Sequence, residues 1–285
     1  GELGIGVTED DTGMPQQVKI PPCKQVYCGS SFSFCLTEDG YLYSFGSNKF
    51  GCLGIGIYGK EKRYYKPQLV PDVNNVEYIV CGSLHSIYKT YNNEYYSCGD
   101  NYYGQLGIGN SSGPVDIFTK CINWPKNIIS IKCGGYHSLL LTSEGNVYGF
   151  GCGGDGRLGS CSDSHKNDIQ TKPEIIPFIS EIKRIECGIA HSMCIDIHNN
   201  LWVFGHGKKG KLGLENEKDC IFPTLHNRLT NVVDISSGGN HTFVKTQDNE
   251  IYAFGCNDGM QLLGIATPET KQLTPIRTFV GNEHI

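Results

Sequence analysis

The sequence predicts an all-β fold, a β-propeller assembled from five tandem four-stranded units. Three observations predict it: a block of motifs recurs about every fifty residues, glycine fills 37 of 285 positions, and the apolar segments between glycines are short and alternate at period two. That glycine content is nearly twice the ordinary ~7%, and no G-X-Y period points to collagen. A helical solenoid would instead show a 3.6-residue period and few internal glycines.

The block can be read element by element. A Gly-x-x-His motif stands at Gly82 to His85, Gly134 to His137, Gly188 to His191 and Gly238 to His241, with Gly29-Ser30-Ser31-Phe32 as a variant lacking the histidine. Fourteen residues past its fourth position a second glycine always follows: Gly46, Gly99, Gly151, Gly205 and Gly255. Seven residues further stands a leucine: Leu53, Leu106, Leu158, Leu212 and Leu262. Successive second glycines lie 53, 52, 54 and 50 residues apart, so length varies only outside the block.

Six residues before the second glycine comes Gly40, Asn93, Gly145, Asn199 or Asn249, the residue types that most readily take positive φ in a hairpin turn. An apolar run such as Ser138 to Thr142 precedes that turn and an alternating one such as Val147 to Phe150 follows it. Each following run carries an aromatic at the same place: Tyr43, Tyr96, Tyr148, Trp202 and Tyr252. An apolar run before Gly-x-x-His, for example Ile128 to Cys133, adds an inner strand. A Pro-led stretch such as Pro67 to Val70 adds an outer one, where a missing N–H is tolerated.

The charge balance of −5 pulls no part of the surface globally toward phosphates or an anionic membrane. No apolar stretch approaches the ~20 residues a spanning helix needs, and no membrane is expected among the partners. Of the fourteen cysteines none forms a C-x-x-C pair, and Cys28, Cys81, Cys133 and Cys187 each precede a motif glycine. They are expected to be reduced, buried and structural. No signal peptide is evident, so an intracellular location, cytoplasmic or nuclear, is expected.

Chemistry that acts once needs different groups converging once, whereas a residue copied into each unit answers a packing or bonding need that every unit shares. His85, His137, His191 and His241 are therefore expected to be core histidines, and Phe32 breaks any metal ring. The run Gly151 to Gly156 lacks the lysine and helix of a phosphate loop. No catalytic residue, metal or cofactor is expected, and the chain is expected not to be an enzyme.

The stretch from Gly134 to Gly151, followed by Gly156-Arg157-Leu158-Gly159, resembles a repeat of the regulator-of-chromosome-condensation (RCC1-like) family, and the resemblance covers nearly the whole chain. The family usually forms a seven-bladed ring. The chain opens at Gly1-Glu2-Leu3-Gly4, inside a unit, and Pro275 to Ile285 aligns with Pro223 to Val232, inside another. Residues 1–285 are thus expected to be a single propeller domain that is part of a longer protein; a ring closing with fewer blades is the alternative. The family's best-known activity, exchange of guanine nucleotide on the small GTPase Ran at chromatin, implies acidic residues in or beside the Gly-x-x-His turns. The pairs inside those turns here, Ser30-Ser31, Ser83-Leu84, Gly135-Tyr136, Ile189-Ala190 and Gly239-Asn240, hold none. Light sensing through a tryptophan cage, another use of the fold, finds only Trp124 and Trp202.

The leading functional expectation is a protein-interaction propeller that docks a protein partner on one loop face, with Leu84, Tyr136 and Asn240 among the contacts. Exchange on a Ran-like small GTPase is the alternative, and chromatin or nucleosome binding through basic loops is another. For the last, Tyr58 to Lys66 reads as a basic and aromatic connection between blades, holding Lys60, Lys62, Arg63, Tyr64, Tyr65 and Lys66. His206 to Lys211 reads as a short loop that places Lys208, Lys209 and Lys211 on a rim. The long connection Ser160 to Lys172, with Asp163, His165, Lys166 and Asp168, reads as a protruding arm or an insertion.

Overall fold

Antiparallel hairpins dominate the chain because each second glycine sits directly across from the fourth position of its Gly-x-x-His motif. Phe32 pairs with Gly46, His85 with Gly99, His137 with Gly151, His191 with Gly205 and His241 with Gly255. The fourteen-residue spacing is therefore a hairpin register. A computed structural model of the chain describes residues 1–6, 14–59, 62–160, 168–258 and 269–278. Leu262 and the stretch 279–285 fall outside them.

Two compact units divide the chain, Gly1–Trp124 and Pro125–Ile285. The first holds two four-stranded antiparallel sheets in simple strand order: β1 (Cys23–Cys28) to β4 (Arg63–Leu69), and β5 (Val76–Cys81) to β8 (Val115–Lys120). Three more such sheets fill the second. They are β9 (Ile128–Cys133) to β12 (Ile169–Ile175), β13 (Ile182–Cys187) to β16 (Cys220–Leu225), and β17 (Val232–Ser237) to β20 (Lys271–Arg277). The helical turns among the described residues are two 3-10 turns, Gly154–Gly156 and Lys208–Gly210.

The turn residues adopt the conformation their type allows, with φ of 82° at Gly40, 59° at Asn93, 79° at Gly145, 67° at Asn199 and 60° at Asn249. The second glycines face a harder constraint. Their φ lies between 105° and 113°, and at Gly151 a Cβ would stand 2.4 Å from the Tyr136 carbonyl oxygen. That oxygen accepts the Cys152 N–H at 2.8 Å, so the two chains must touch at the glycine. The same bond recurs from Ser47 to Ser31, Asp100 to Leu84, His206 to Ala190 and Cys256 to Asn240.

Hydrophobic cores lie between consecutive sheets within each unit. In the second unit Leu139, Leu141, Val147 and Leu158 of one sheet close on Ile182, Ile185, Cys194 and Phe204 of the next. A second core joins Met193, Leu201, Val203 and Leu212 to Val232, Ile235, Val244 and Phe254. In the first unit Phe34, Leu36, Leu42 and Leu53 pack on Val76, Ile79, Tyr88 and Phe118. The Gly-x-Leu-Gly leucines are at most 1% exposed at Leu53, Leu106, Leu158 and Leu212, and each such burial stabilises by roughly 1.5–3 kcal/mol.

Two substitutions test this account by denaturant unfolding. Gly151→Ala should cost at least about 1–3 kcal/mol, since both φ and the Tyr136 oxygen oppose a methyl group. Leu158→Ala should cost about 2–5 kcal/mol through the cavity it opens. A neutral Gly151→Ala would mean that the hairpin contact is not as close as described.

Candidate functional site

The Gly-x-x-His turns are built from the ring of the fourth residue, which lies flat over the first glycine. A Cβ at Gly188 would meet His191 Cε1 at 1.9 Å, one at Gly134 would meet His137 Cε1 at 2.3 Å, and one at Gly238 would meet His241 Cε1 at 2.3 Å. Phe32 does the same over Gly29 at 2.2 Å. The position therefore demands a planar ring first, which is why phenylalanine substitutes there. Phe32 is fully buried and meets Phe34 edge-on with ring centres 5.9 Å apart.

What the histidine adds is a bond to the next sheet. His137 Nε2 lies 2.9 Å from Ser192 Oγ, and Ser192 Oγ donates at 2.7 Å to the Arg157 carbonyl. Since the hydroxyl proton is spent on that carbonyl, the imidazole must donate from Nε2. One sheet further on, His191 Nε2 lies 3.2 Å from Thr242 Oγ1, which donates at 3.1 Å to the Lys211 carbonyl. Ser86 donates likewise to the Cys52 carbonyl at 3.2 Å and Ser33 to the Glu2 carbonyl at 2.9 Å. These hydroxyls were not singled out in the sequence, although a serine or threonine follows each fourth position and so carried the signal.

Burial pushes the imidazoles of His85 and His191 down to about 3, and that of His226 to about 4. Buried neutral rings of this kind bond and pack; they are poor proton shuttles near neutral pH. Among the described residues no group of three or more histidine, cysteine, aspartate or glutamate side chains could hold a metal ion. No described helix is long and apolar enough to cross a membrane.

The turns of the second unit are also tied to one another through the backbone. Gly135 N donates to Ile189 O at 3.0 Å, and Ile189 N donates to Gly239 O at 3.0 Å. Three consecutive turns thereby form one ribbon that carries half-buried Tyr136 and Asn240 and an Ile189 side chain that is 38% exposed. Leu84, half-buried, belongs to a turn of the first unit. Ile189 escaped the sequence reading because nothing in its motif distinguishes it from neighbouring apolar residues.

Several other sequence expectations change on contact with the structure. Arg63, Tyr64 and Lys66 do not lie in a connection; they belong to outer strand β4, with Arg63 opposite Ser47 and Tyr64 opposite Gly46. Tyr64 packs against the core of the first unit, Lys66 lies over Gly6, and Lys62 and Arg63 are exposed. The expected loop is a strand because its alternating residues pair with the open edge of β3 (Leu42–Ser47). Lys60 lies outside the described residues, as do Asp163, His165 and Lys166; Asp168 accepts the Gly153 N–H through its carbonyl at 2.7 Å.

The lysine loop also departs from expectation. Lys208 is exposed, and Lys209 pairs with Asp258 at 2.6 Å, but Lys211 is not on a rim: only 2% of it is exposed. Its ammonium donates to Asn240 Oδ1 at 2.7 Å and stands 3.0 Å from His206 Nδ1. The reason is its place in Gly-x-Leu-Gly, where the neighbouring Leu212 is drawn into the core. Of the four motif cysteines only Cys187 is fully buried; Cys81 and Cys133 are half-buried and Cys28 is exposed. All thirteen described cysteines are free thiols, and burial pushes Cys35, Cys52 and Cys121 up to about 12.

A family model described as "Regulator of chromosome condensation (RCC1) repeat" matches residues 39–88, 92–141, 144–195 and 198–244, and a second with the same description matches 23–52, 76–105, 128–157 and 232–259. The chain is 32% identical to mouse serine/threonine-protein kinase Nek9 over 86% of its own length and 26% of that protein. It is 31% identical to the Arabidopsis thaliana ultraviolet-B receptor UVR8, over 84% of its length and 53% of the receptor. It thus spans about half of one relative and a quarter of the other. Among solved structures, human WBSCR16 superposes with a TM-score of 0.76 at 25% identity, covering 90% of this chain and 67% of that one. Prp20p from Saccharomyces cerevisiae superposes at 0.72 with 19% identity over 90% and 63%.

The buried histidines make acid a test of the relay. Each folded-state value lies below the ordinary 6.5, so the native rings stay neutral while unfolded ones take up a proton. Stability should be full above pH 6.5 and fall as the pH drops toward about 3. Denaturant melts across that window should show a shallower decline for His191→Gln than for the natural chain; identical slopes would remove His191 from the account.

Proposed function

The chain belongs to the regulator-of-chromosome-condensation repeat family, and from that premise we propose that it is a non-enzymatic, intracellular interaction module that docks a protein partner on the loop face formed by its Gly-x-x-His turns. The observation that carries this reading is the ribbon of Gly135, Ile189 and Gly239. Residues repeated in every sheet are consumed by the hairpin and the relay, while those peculiar to one sheet, Tyr136, Ile189 and Asn240, stand together at its surface. A face already ordered by backbone bonds loses little conformational freedom when a partner arrives. Residues 1–285 are read as one propeller domain of a longer ring, in keeping with the 67% and 63% of the two structural neighbours that the chain covers.

A second reading is exchange on a Ran-like GTPase or contact with chromatin. It is favoured by the likeness in fold to yeast Prp20p, a protein with binding properties to Gsp1p and histones. An exchange factor works by binding the nucleotide-free GTPase more tightly than the loaded one, without bond chemistry. The absence of acidic residues inside all five turns argues against it here. Chromatin contact would fall on exposed Lys62, Arg63 and Lys66 of the first unit, with affinity dropping steeply as salt rises.

The docking reading is tested by capture of partners from a cell lysate on the immobilised chain. Ile189→Asp should reduce capture at least tenfold while leaving the melting temperature within a few degrees, because the side chain touches solvent. Undiminished capture would place the partner elsewhere. Added to a Ran-like GTPase loaded with a fluorescent nucleotide, the chain should leave the release rate unchanged; acceleration would restore the exchange reading.

A further inference from the structure

Arg157 and Lys211 hold the same place in consecutive sheets, the second position of Gly-x-Leu-Gly, and the relay from His137 and His191 ends on their two carbonyls. In the first unit that place is taken by Glu2, Cys52 and Gln105, none of them a cation. Both cations are buried, Arg157 at 7% exposed and Lys211 at 2%. Arg157 donates from Nε to the Gly154 carbonyl at 2.8 Å and from Nη2 to Asp155 Oδ2 at 2.7 Å. Lys211 bonds only neutral partners, the Asn240 amide oxygen at 2.7 Å and His206 Nδ1 at 3.0 Å. Among the described residues no carboxylate stands within ion-pair distance of its ammonium.

A buried ammonium without a carboxylate is costly, because desolvation is not offset by an opposite charge. The surroundings of Lys211 carry that imbalance: burial lowers its pKa most, Lys209 and Arg157 lower it further by repulsion, and Asp155 and Asp219 only partly offset this from a distance. Among the described residues, the carboxylate that pairs with this cluster is Asp155. It sits on a turn with φ of 60°, its side chain 41% exposed, where a rotation would free the guanidinium. The neighbouring walls, His206 and Asn240, are half-buried and adjoin the docking ribbon.

We propose that Arg157, His206 and Lys211 form a carboxylate-binding site, which takes an aspartate or glutamate side chain from an acidic segment of the docking partner in place of Asp155. The assignment rests on the docking reading and deepens it. Two cations whose charges repel each other, one a planar fork and one a point charge, offer complementary donors to an incoming carboxylate. Displacement of Asp155 then exchanges one ion pair for another that also reaches Lys211, so the partner gains the neutralisation that the free chain lacks.

The test measures fluorescence anisotropy of labelled hexaglutamate with the full chain at low salt, with hexaglutamine and inorganic phosphate as separate arms. Hexaglutamate should bind and hexaglutamine should not. The double substitution Arg157→Gln with Lys211→Gln should weaken hexaglutamate at least tenfold without lowering the melting temperature, since Gln105 already fills this place fully buried. Asp155→Asn, which removes the resident competitor on a turn that asparagine tolerates, should tighten it at least threefold. Equal affinity for the natural and doubly substituted chains, or weaker binding by Asp155→Asn, would overturn the proposal. So would phosphate binding without hexaglutamate binding. If hexaglutamate fails while Ile189→Asp still abolishes partner capture, the docking face stands and only the carboxylate site falls.

Discussion

Five times in this chain a carbonyl oxygen is pressed against a glycine Cα, and the rest of the structure is arranged around that contact. The oxygen belongs to the residue before the motif ring, and the N–H it accepts belongs to the residue after the glycine. Only a residue without Cβ, at φ near 105–113°, lets the two strands come so close. With the strands locked there, the ring falls over the first glycine of its turn, and in the second unit its Nε2 points at the hydroxyl of the next sheet. A local steric constraint thereby becomes an ordered contact between sheets.

Much of this was legible in the residues. The offset of fourteen between ring and glycine is a hairpin register, and the offset of six to Gly40, Asn93, Gly145, Asn199 or Asn249 is the turn. Both are local and depend on backbone geometry, which sequence spacing reports directly. The family resemblance drew on the same spacings, and the matching family models rest on the same residues.

What sequence missed depends on which neighbour a side chain meets. Lys211 looks like solubilising charge beside Lys208 and Lys209, yet the leucine after it is pulled into the core and carries it inward. Arg63 and Tyr64 look like loop residues because their pattern is short and basic, but the open edge of β3 recruits them into a strand. Cys28 shares its motif with Cys187 and differs from it completely in exposure. Equivalent positions in a repeat share a backbone, whereas their burial is set by the adjoining sheet. The candidate docking face shows the same division: its turns were expected, while Ile189, its most exposed apolar side chain, is set apart only by its position on the ribbon.

The relay also bears on how the second unit comes apart. In a linear array of repeats, each module is an almost separate thermodynamic unit joined to its neighbours by nearest-neighbour terms. Here, pulling the sheet that carries Ser192 away from its neighbour strands a buried imidazole and a main-chain oxygen on one side and a buried hydroxyl on the other. Opening one module therefore penalises the next, so the bonds couple β10 (His137–Thr142), β14 (His191–Asp196) and β18 (His241–Thr246) and oppose independent fraying from an end.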